Sequence, residues 1–314
     1  MDATTIGFGL AVCSALSWAA FDIARKKTVE GMTATGAVAA LNAVQVPILC
    51  AMFLAGAFFA PAPGSGAVLE VLLPRWSNPS GTYAWQYAVS LGFNVLANLL
   101  FMRAVALSPL SLTIPYLSFT PVFTALIALV VYQTSPSVAG WIGIVLVCAG
   151  AFFLNPGEQK TGPLAPLRAL VRERGSLYMI GVALLWSVTS LLDQSASGGT
   201  SPTFHALTIV AGLALVNGGW RTWSDRGLGW VRDECSGRVA LVVVAGVLSL
   251  FAYLTQLVAF SLVDVAYVET IKRALGVLIS IGVGYAIFGE GDLVRRAVGA
   301  CVMVAGVALV MLWG

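Results

Sequence analysis

The sequence predicts an all-α polytopic membrane protein with ten transmembrane helices, arranged as two inverted five-helix repeats. Three observations support this fold class. Of the 314 residues, 59% are hydrophobic and only 10% are charged, whereas about a quarter of the residues of a soluble domain are charged. The apolar residues form long uncharged runs, of which 38–59 and 110–131 are two. Short segments of the first half recur in the same order in the second half.

Each apolar run is close to the ~20 residues that an α-helix needs to cross the hydrocarbon layer. Lipid offers no partner to a free backbone N–H or C=O group, so a spanning segment is either a helix or part of a closed barrel. Barrel strands alternate apolar and polar residues, and these runs do not alternate. The runs are therefore predicted to be helices, and the lipid bilayer is the first predicted partner of the chain.

The boundaries of the runs define ten spans. In chain order we expect them at 5–24, 35–59, 84–107, 110–132, 138–154, 177–195, 203–220, 239–261, 264–288 and 294–313. Very short connections follow the third, fourth, sixth and eighth spans, and each of them predicts an antiparallel hairpin. The polar segment 155–176 divides the chain into a first repeat at 1–154, a linker expected on the cytoplasmic side, and a second repeat at 177–314.

The positions of the basic residues predict the orientation. Fourteen of the 17 Lys and Arg residues lie in or beside the odd-numbered connections, whereas the even-numbered connections contain only Arg75. Because positive residues are retained on the cytoplasmic side, both termini are expected on the outer side of the cytoplasmic (inner) membrane. The chain begins Met1-Asp2 without a basic segment, so the first span is expected to be a retained helix rather than a cleaved signal peptide.

The two halves align through short matching segments. Residues 15–18 (ALSW) match 183–186 (ALLW), 106–108 (ALS) match 259–261 (AFS), and 143–150 (GIVLVCAG) match 299–306 (GACVMVAG). Each half has five spans, an odd number, so the second half enters the membrane in the opposite orientation. Inverted repeats are typical of alternating-access carriers, in which the solute binds near the membrane midplane between the repeats.

Longer segments carry a resemblance to a known family. They are 106–111 (ALSPLS), 121–127 (PVFTALI), 143–150, 266–273 (AYVETIKR), 288–290 (FGE) and 299–306. Through them, nearly the whole chain resembles the ten-helix EamA branch of the drug/metabolite transporter superfamily. The resemblance implies the inverted ten-helix fold and a carrier of small solutes, without indicating which solute. Trp18 and Trp186 match the tryptophan typical of the first helix of each repeat.

The ninth span contains three ionisable residues on one face. Glu269, Lys272 and Arg273 are spaced i, i+3 and i+4, which places them side by side on a helix. Lys272 lies roughly 12 Å from the expected outer end at 1.5 Å per residue, and ionisable residues at such depth are candidates for function. The basic pair can bind an anionic group of a solute, with Glu269 tuning the pair or exchanging a proton. Alternatively, the three residues form an ion-pair cluster that only locks this helix to its neighbours.

The fourth span, the counterpart of the ninth in the first repeat, contains two prolines. Pro115 and Pro121 each remove a backbone hydrogen bond, and such breaks are typical of segments that line a solute cavity. The hydroxyls of Tyr116 and Thr120 lie beside these breaks and are candidates for solute binding. The alternative is a kink that packs against its neighbours without touching a ligand.

The remaining solute-binding candidates are spread over four other spans. Asn94 and Asn98 continue a stripe of polar residues spaced by four in the third span, and such a stripe turns away from lipid, toward a cavity or a neighbouring helix. Tyr253 lies near the outer end of the eighth span. Trp18 and Trp186 are expected to flank the central cavity by repeat symmetry, with plain packing as the alternative.

Two further ionisable residues are interpreted as boundary residues. Asp193 lies near the outer end of the sixth span, where an interface position explains it more simply than a proton site. His205 is the only histidine in the chain. It is expected to face water near the outer end of the seventh span, although an imidazole can change its charge near neutral pH.

These observations predict a secondary carrier of a small polar metabolite, such as an amino acid or an organic anion. A similarity to plastid phosphate translocators, which have a basic pair in the same helix, implies an anionic ligand. No GxxxxGK[ST] phosphate loop is present, so coupling is expected to protons or to a counter-substrate. A homodimer and a monomer both remain open.

The alternative is an intramembrane enzyme that acts on a lipid-linked or membrane-soluble substrate. One histidine, no HExxH motif and five scattered cysteines argue against it, and against a metal site or a bound cofactor. The net charge of +3 gives no indication of nucleic-acid binding.

Overall fold

The computed structural model describes residues 2–29, 31–59, 81–107, 114–154, 174–288 and 293–313. Most of the predicted linker, from 155 to 173, lies outside the described residues, as do Arg75 and the Gly289-Glu290 pair of the family motif. The described residues form eleven α-helices and no strand. They are α1 Ala3–Val29, α2 Ala34–Phe59, α3 Gly81–Leu107, α4 Thr120–Ile127, α5 Val138–Leu154, α6 Arg174–Gly199, α7 Pro202–Ser224, α8 Gly229–Cys235, α9 Val239–Leu262, α10 Val265–Phe288 and α11 Leu293–Trp313.

The helices confirm the predicted spans, most of them to within a few residues at either end. Within the described residues, α1, α2, α6, α7 and α9 are long and apolar enough to cross a membrane, by length and composition. Shorter apolar helical stretches cover Tyr116–Tyr132, Val138–Ala151 and Val298–Trp313. The short helix α8 lies in the connection between α7 and α9. The protein is an all-α polytopic membrane protein, as the composition predicts.

The fourth span is broken at the predicted place. Ile114–Phe119 forms a 3₁₀ turn, and the α-helix begins only at Thr120, immediately before Pro121. Proline has no backbone N–H, so the carbonyl of Leu117, one turn earlier, loses its usual donor. The hydroxyl of Thr120 replaces that donor at 2.6 Å. The break is therefore stabilised by the side chain next to the proline.

The chain divides into two compact units, each of which contains segments from both halves of the sequence. The first consists of Met1–Val95 with Leu192–Leu262, and the second of Leu96–Leu191 with Val263–Gly314. Consequently, α3 and α6 each contribute residues to both units. The two compact units therefore do not coincide with the two sequence repeats, since each unit combines segments of both repeats.

In the first unit, α1 packs along α9 and α2 packs along α7. The buried residues Phe21, Leu41, Val242 and Ala245 form an apolar core of α1, α2 and α9. Gln45 adds a polar contact here, because its side-chain amide donates to the hydroxyl of Ser249 at 3.0 Å. Polar residues inside a bilayer must find such partners.

In the second unit, α5 and α11 cross closely at paired glycines. A Cβ atom on Gly143 would lie 2.6 Å from the carbonyl oxygen of Gly306, and one on Gly150 would lie 2.8 Å from that of Gly299. These are the glycines of the matching segments of the two repeats, and small residues allow such an approach in membranes. A separate apolar core joins α3, the 3₁₀ turn and α6. Its buried members are Ala97, Ala104, Tyr116, Leu117, Met179, Val182 and Ala183.

Candidate functional site

The three ionisable residues of α10 form one buried cluster in the second unit. The side chain of Glu269 is only 1% exposed, and those of Lys272 and Arg273 are 13% and 16% exposed. Lys272 Nζ donates to Glu269 Oε1 at 2.5 Å, and Arg273 Nε lies 3.9 Å from Glu269 Oε2. The helical spacing therefore places the side chains of Lys272 and Arg273 beside the same carboxylate, that of Glu269.

Helix α6 contributes a neutral donor to the same carboxylate. The hydroxyl of Ser190 donates to Glu269 Oε1 at 3.0 Å. Oε1 thus accepts two hydrogen bonds, whereas Oε2 is buried and accepts none from the described residues. Glu269 is held mainly through one oxygen, and the other oxygen faces Arg273.

An aromatic surface lies against the cluster. The guanidinium carbon of Arg273 is 5.4 Å from the ring centroid of Trp186 on α6, within the range of a cation–π interaction. Trp186 in turn contacts Phe101 on α3, with ring centroids 6.0 Å apart and ring planes at 32°. The cluster therefore offers ionic groups and aromatic rings side by side.

The charge of the cluster favours an anionic ligand. A buried charge is costly unless it is paired. Glu269 carries one negative charge against the positive charges of Lys272 and Arg273, which leaves one positive charge in excess. Because the surroundings are largely buried, an anion is attracted more strongly here than at a water-exposed site.

Tyr116 and Thr120, the two solute-binding candidates beside the proline break, contact other parts of the protein. Tyr116 is buried in the apolar core between α3 and α6, against which Trp186 and Phe101 also pack. Thr120 uses its hydroxyl on the carbonyl of Leu117, and its own carbonyl accepts from the hydroxyl of Ser187 at 3.0 Å. These contacts maintain the broken backbone.

The first unit contains a second buried polar cluster, centred on Asp193. Its carboxylate accepts from the hydroxyl of Ser90 at 2.7 Å and from that of Tyr253 at 3.0 Å. It also lies 3.0 Å from Nε2 of His205. Asp193 is 4% exposed and His205 is fully buried. The expectation that His205 faces water is wrong, and Asp193 is likewise buried among polar side chains, although it lies near the end of α6 as expected.

The physical reason is the hairpin between α6 and α7. Asp193 lies six residues before the end of α6 and His205 lies three residues after the start of α7, so the two side chains face each other across the turn. The polar stripe of α3 supplies Ser90 from a third helix. This contact had a signal in the sequence. Asp193 and the single histidine, His205, flank the short connection between α6 and α7, and α3 carries a stripe of polar residues.

The ten predicted solute-binding residues fall into two groups. Three belong to the first unit: Trp18, Asn94 and Tyr253. Trp18 donates from its ring nitrogen to the side chain of Gln256 at 2.8 Å, and the Asn94 amide donates to the Ser90 carbonyl at 3.0 Å. The other seven belong to the second unit: Asn98, Tyr116, Thr120, Trp186, Glu269, Lys272 and Arg273. Of these seven, the structure brings Trp186 together with the three charged residues.

Within the described ranges, no three His, Cys, Asp or Glu side chains lie close enough together to hold a metal ion.

Comparison with known proteins identifies the family. The model of the EamA-like transporter family matches residues 5–155 and 173–312, once over each repeat. A protein of Rhizobium johnstonii named "Riboflavin transporter" is 24% identical over 285 residues, which are 83% of this chain and 89% of that protein. A solved structure titled "Crystal structure of protein" has the same fold, with a TM-score of 0.69, 18% identity and coverage of 99% of both chains. This chain belongs to the EamA-like transporter family and is a multi-pass membrane transporter.

Proposed function

We propose that the protein is a secondary carrier that moves a small polar metabolite with an anionic group, an amino acid or an organic anion, by alternating access. The Glu269–Lys272–Arg273 cluster binds the anionic group. The observation that carries the proposal is the burial of these three ionised side chains on one face of α10 with one positive charge in excess.

Each residue has a distinct role in this mechanism. Arg273 offers a planar fork of N–H donors, which suits a carboxylate or a phosphate, and its stacking on Trp186 holds that fork in place. Lys272 supplies a mobile point charge. Glu269 competes with the solute for both cations, which weakens solute binding and permits release on the other side.

The aromatic surface extends the site beyond the anionic group. Trp186 and Phe101 can contact a planar or apolar part of the solute, and Asn98 lies on the same unit of the chain. The relative named for riboflavin transport suggests a test of this contact, because riboflavin has a flat ring system and no charge at neutral pH. Riboflavin thus separates ring recognition from anion recognition.

The orientation and the driving force belong to the same proposal. We place both termini outside the cytoplasmic membrane, on the asymmetry of the basic residues. Transport is driven by exchange of solute or by a proton gradient. The cluster lies within one chain, so the mechanism is the same for a monomer and a homodimer.

Counterflow in proteoliposomes tests the proposal. Vesicles containing purified protein are loaded with an unlabelled solute, and uptake of the labelled solute is followed for the amino acids, for small organic acids and for riboflavin. We expect counterflow of at least one anion-bearing solute. In the variants Lys272→Gln and Arg273→Gln, this counterflow should fall to the level of empty vesicles.

Arg25→Gln is the matched control. Arg25 pairs with Asp22 at 2.9 Å, and the two side chains are 33% and 60% exposed, so the same chemical change is made outside the buried cluster. Its counterflow should equal that of the unaltered protein. Normal counterflow by both cluster variants would refute the assignment of the anion site. Counterflow of riboflavin alone would refute the anionic solute class.

A further inference from the structure

The Asp193–His205 cluster shares no residue with the Glu269–Lys272–Arg273 cluster. It joins four helices of the first unit, because Tyr83 and Ser90 belong to α3, Asp193 to the end of α6, His205 to α7 and Tyr253 to α9. A buried carboxylate that faces a buried imidazole is costly to maintain inside a membrane. Such a pair calls for an explanation beyond packing.

The hydrogen bonds around His205 are satisfied by an arrangement in which the ring carries two protons. Thr208 donates to the backbone carbonyl of His205 at 2.9 Å, so the 2.5 Å contact between Thr208 and Tyr83 uses the Tyr83 proton. Tyr83 then has no proton left for Nδ1 of His205, 3.3 Å away. The imidazole must donate from Nδ1 to Tyr83 and from Nε2 to Asp193. This arrangement requires a doubly protonated His205.

Loss of one proton gives a second, equally consistent arrangement. When Nδ1 of His205 is deprotonated, Tyr83 can donate to it and accept from Thr208, which then gives up its bond to the carbonyl. Nε2 continues to donate to Asp193. The network therefore has two hydrogen-bond arrangements that differ by one proton, and hydroxyl rotations interconvert them. The hydrogen positions in both arrangements are assigned from the positions of the donor and acceptor atoms.

The charge balance favours a proton as the ligand. With His205 protonated, the pair with Asp193 is neutral, and without the proton it carries one negative charge. The other titratable groups that face it are tyrosines, namely Tyr83 and Tyr87 on α3 and Tyr253 on α9. Helix α2, which packs along α7, has no charged residue, and neither has α9. In the part of the chain that the structure describes, His205 is the only cation paired with Asp193.

The cluster lies near the predicted outer ends of its helices. Asp193 is six residues from the end of α6 and Tyr83 is two residues from the start of α3, roughly 9 Å and 3 Å at 1.5 Å per residue. Thr208 is only partly buried, whereas His205 is fully buried. The hydrogen-bonded chain from Asp193 through His205 and Tyr83 thus ends at a hydroxyl that is less buried than the imidazole.

We propose that the Asp193–His205 pair is the proton-binding site of this carrier, which exchanges one proton with the outer side through Tyr83 and couples that proton to solute movement. This inference rests on the proposed carrier function. The proton adds to Nδ1 of neutral His205 and leaves from the same atom, so no other bond is made or broken.

The first test measures the proton directly and needs no solute. His205 is the only histidine in the 314 residues, so tag-free protein labelled with ¹⁵N in the imidazole ring gives the signals of one side chain. In lipid nanodiscs, we expect these signals to change from the doubly to the singly protonated form between pH 5 and 9. In Asp193→Asn, the doubly protonated form should be lost at a pH at which the unaltered protein retains it.

Two results of this test would overturn the proposal. One is a ring that keeps a single protonation state from pH 5 to 9. The other is an Asp193→Asn variant whose titration is the same as that of the unaltered protein. If Asp193→Asn does not fold, Tyr83→Phe replaces it, because that variant removes only the hydroxyl next to Nδ1. An unchanged ring spectrum in Tyr83→Phe would then contradict the proposed relay.

The second test measures coupling in proteoliposomes with the labelled amino acids, organic acids and riboflavin named above. Asp193→Asn and His205→Gln should lose at least tenfold in accumulation driven by a pH gradient, while counterflow, which needs no net proton movement, continues. Asp22→Asn is the matched control and should keep both activities, since Asp22 belongs to an exposed pair.

The outcomes separate this inference from the proposed function. Counterflow of no probe by the unaltered protein would refute the proposed function, and the ring spectrum would still decide whether the pair binds a proton. Counterflow without any effect of a pH gradient would leave the carrier function intact and overturn the coupling role. The same conclusion would follow if both variants accumulated solute normally.

Discussion

Replacing Glu269 with Gln should have opposite effects on two properties: it should lower the stability of the protein and increase the stabilisation that an anionic solute provides. The substitution keeps the shape of the side chain but leaves Lys272 and Arg273, 13% and 16% exposed, without their shared anion. Removing one partner of a buried ion pair costs about 3–5 kcal/mol. Because both cations keep some exposure, we expect a loss at the lower end of this range, about 3 kcal/mol in the free energy of unfolding. The midpoint of thermal unfolding should fall accordingly.

An anionic solute should reverse this loss. In the variant, the solute replaces the missing carboxylate beside both cations, so its binding raises the unfolding midpoint more than it does in the unaltered protein. The assay is thermal unfolding in detergent, followed by tryptophan fluorescence, with and without the anion-bearing solute found by counterflow. The double variant Glu269→Gln with Lys272→Gln restores one excess charge and should recover most of the lost stability.

Two results would refute this reasoning. The first is an unfolding midpoint of Glu269→Gln equal to that of the unaltered protein, since it would mean that the carboxylate does not compensate the cations. The second is a solute-induced increase that is no larger in the variant. Either result would remove the physical basis for placing the anionic group between Lys272 and Arg273.

Three further predictions concern the fold and its surface. Thr120→Val should lower the free energy of unfolding by about 1–3 kcal/mol in chemical denaturation, because it leaves a buried carbonyl without a donor; Thr120→Ser should not. Gly306→Ala should lower the thermal midpoint, since its Cβ would lie 2.7 Å from the Gly143 carbonyl oxygen, whereas Gly92→Ala, with no atom within 4 Å, should not. Burial and the neighbouring carboxylate raise the pKa of the Cys235 thiol. The thiolate is the reactive form, so in a variant with Cys235 as its only cysteine, maleimide labelling should be slow at pH 7 and accelerate as the pH rises; a rate at pH 7 equal to that of the denatured protein would contradict this.

Several features of the fold follow from local chemistry alone. A helix that crosses lipid must satisfy its own backbone, so each long apolar run identifies a helix without knowledge of its neighbours. The break in the fourth span is equally local, because Pro121 lacks the N–H that Leu117 would otherwise accept. The spacing of Glu269, Lys272 and Arg273 places them on one face by helical geometry.

The contacts between segments that are distant along the chain were harder to predict from the sequence. Trp186 was predicted from repeat symmetry, but its contact with Arg273 depends on how α6 and α10 pack. Ser190 was not predicted as a site residue, since a serine in a transmembrane helix has no distinctive pattern. Asp193 and His205 were assigned to a water-facing boundary, because helix counting gives the depth of a residue and not the direction of its side chain.

The sequence by itself determined that this protein spans a membrane, where its helices begin and end, and which family of transporters it belongs to. These properties depend on residue composition and on order along the chain. Only the tertiary structure decided which polar groups meet, since a buried carboxylate requires donors that come from other helices. Three helices supply the partners of Asp193, namely Ser90 from α3, His205 from α7 and Tyr253 from α9.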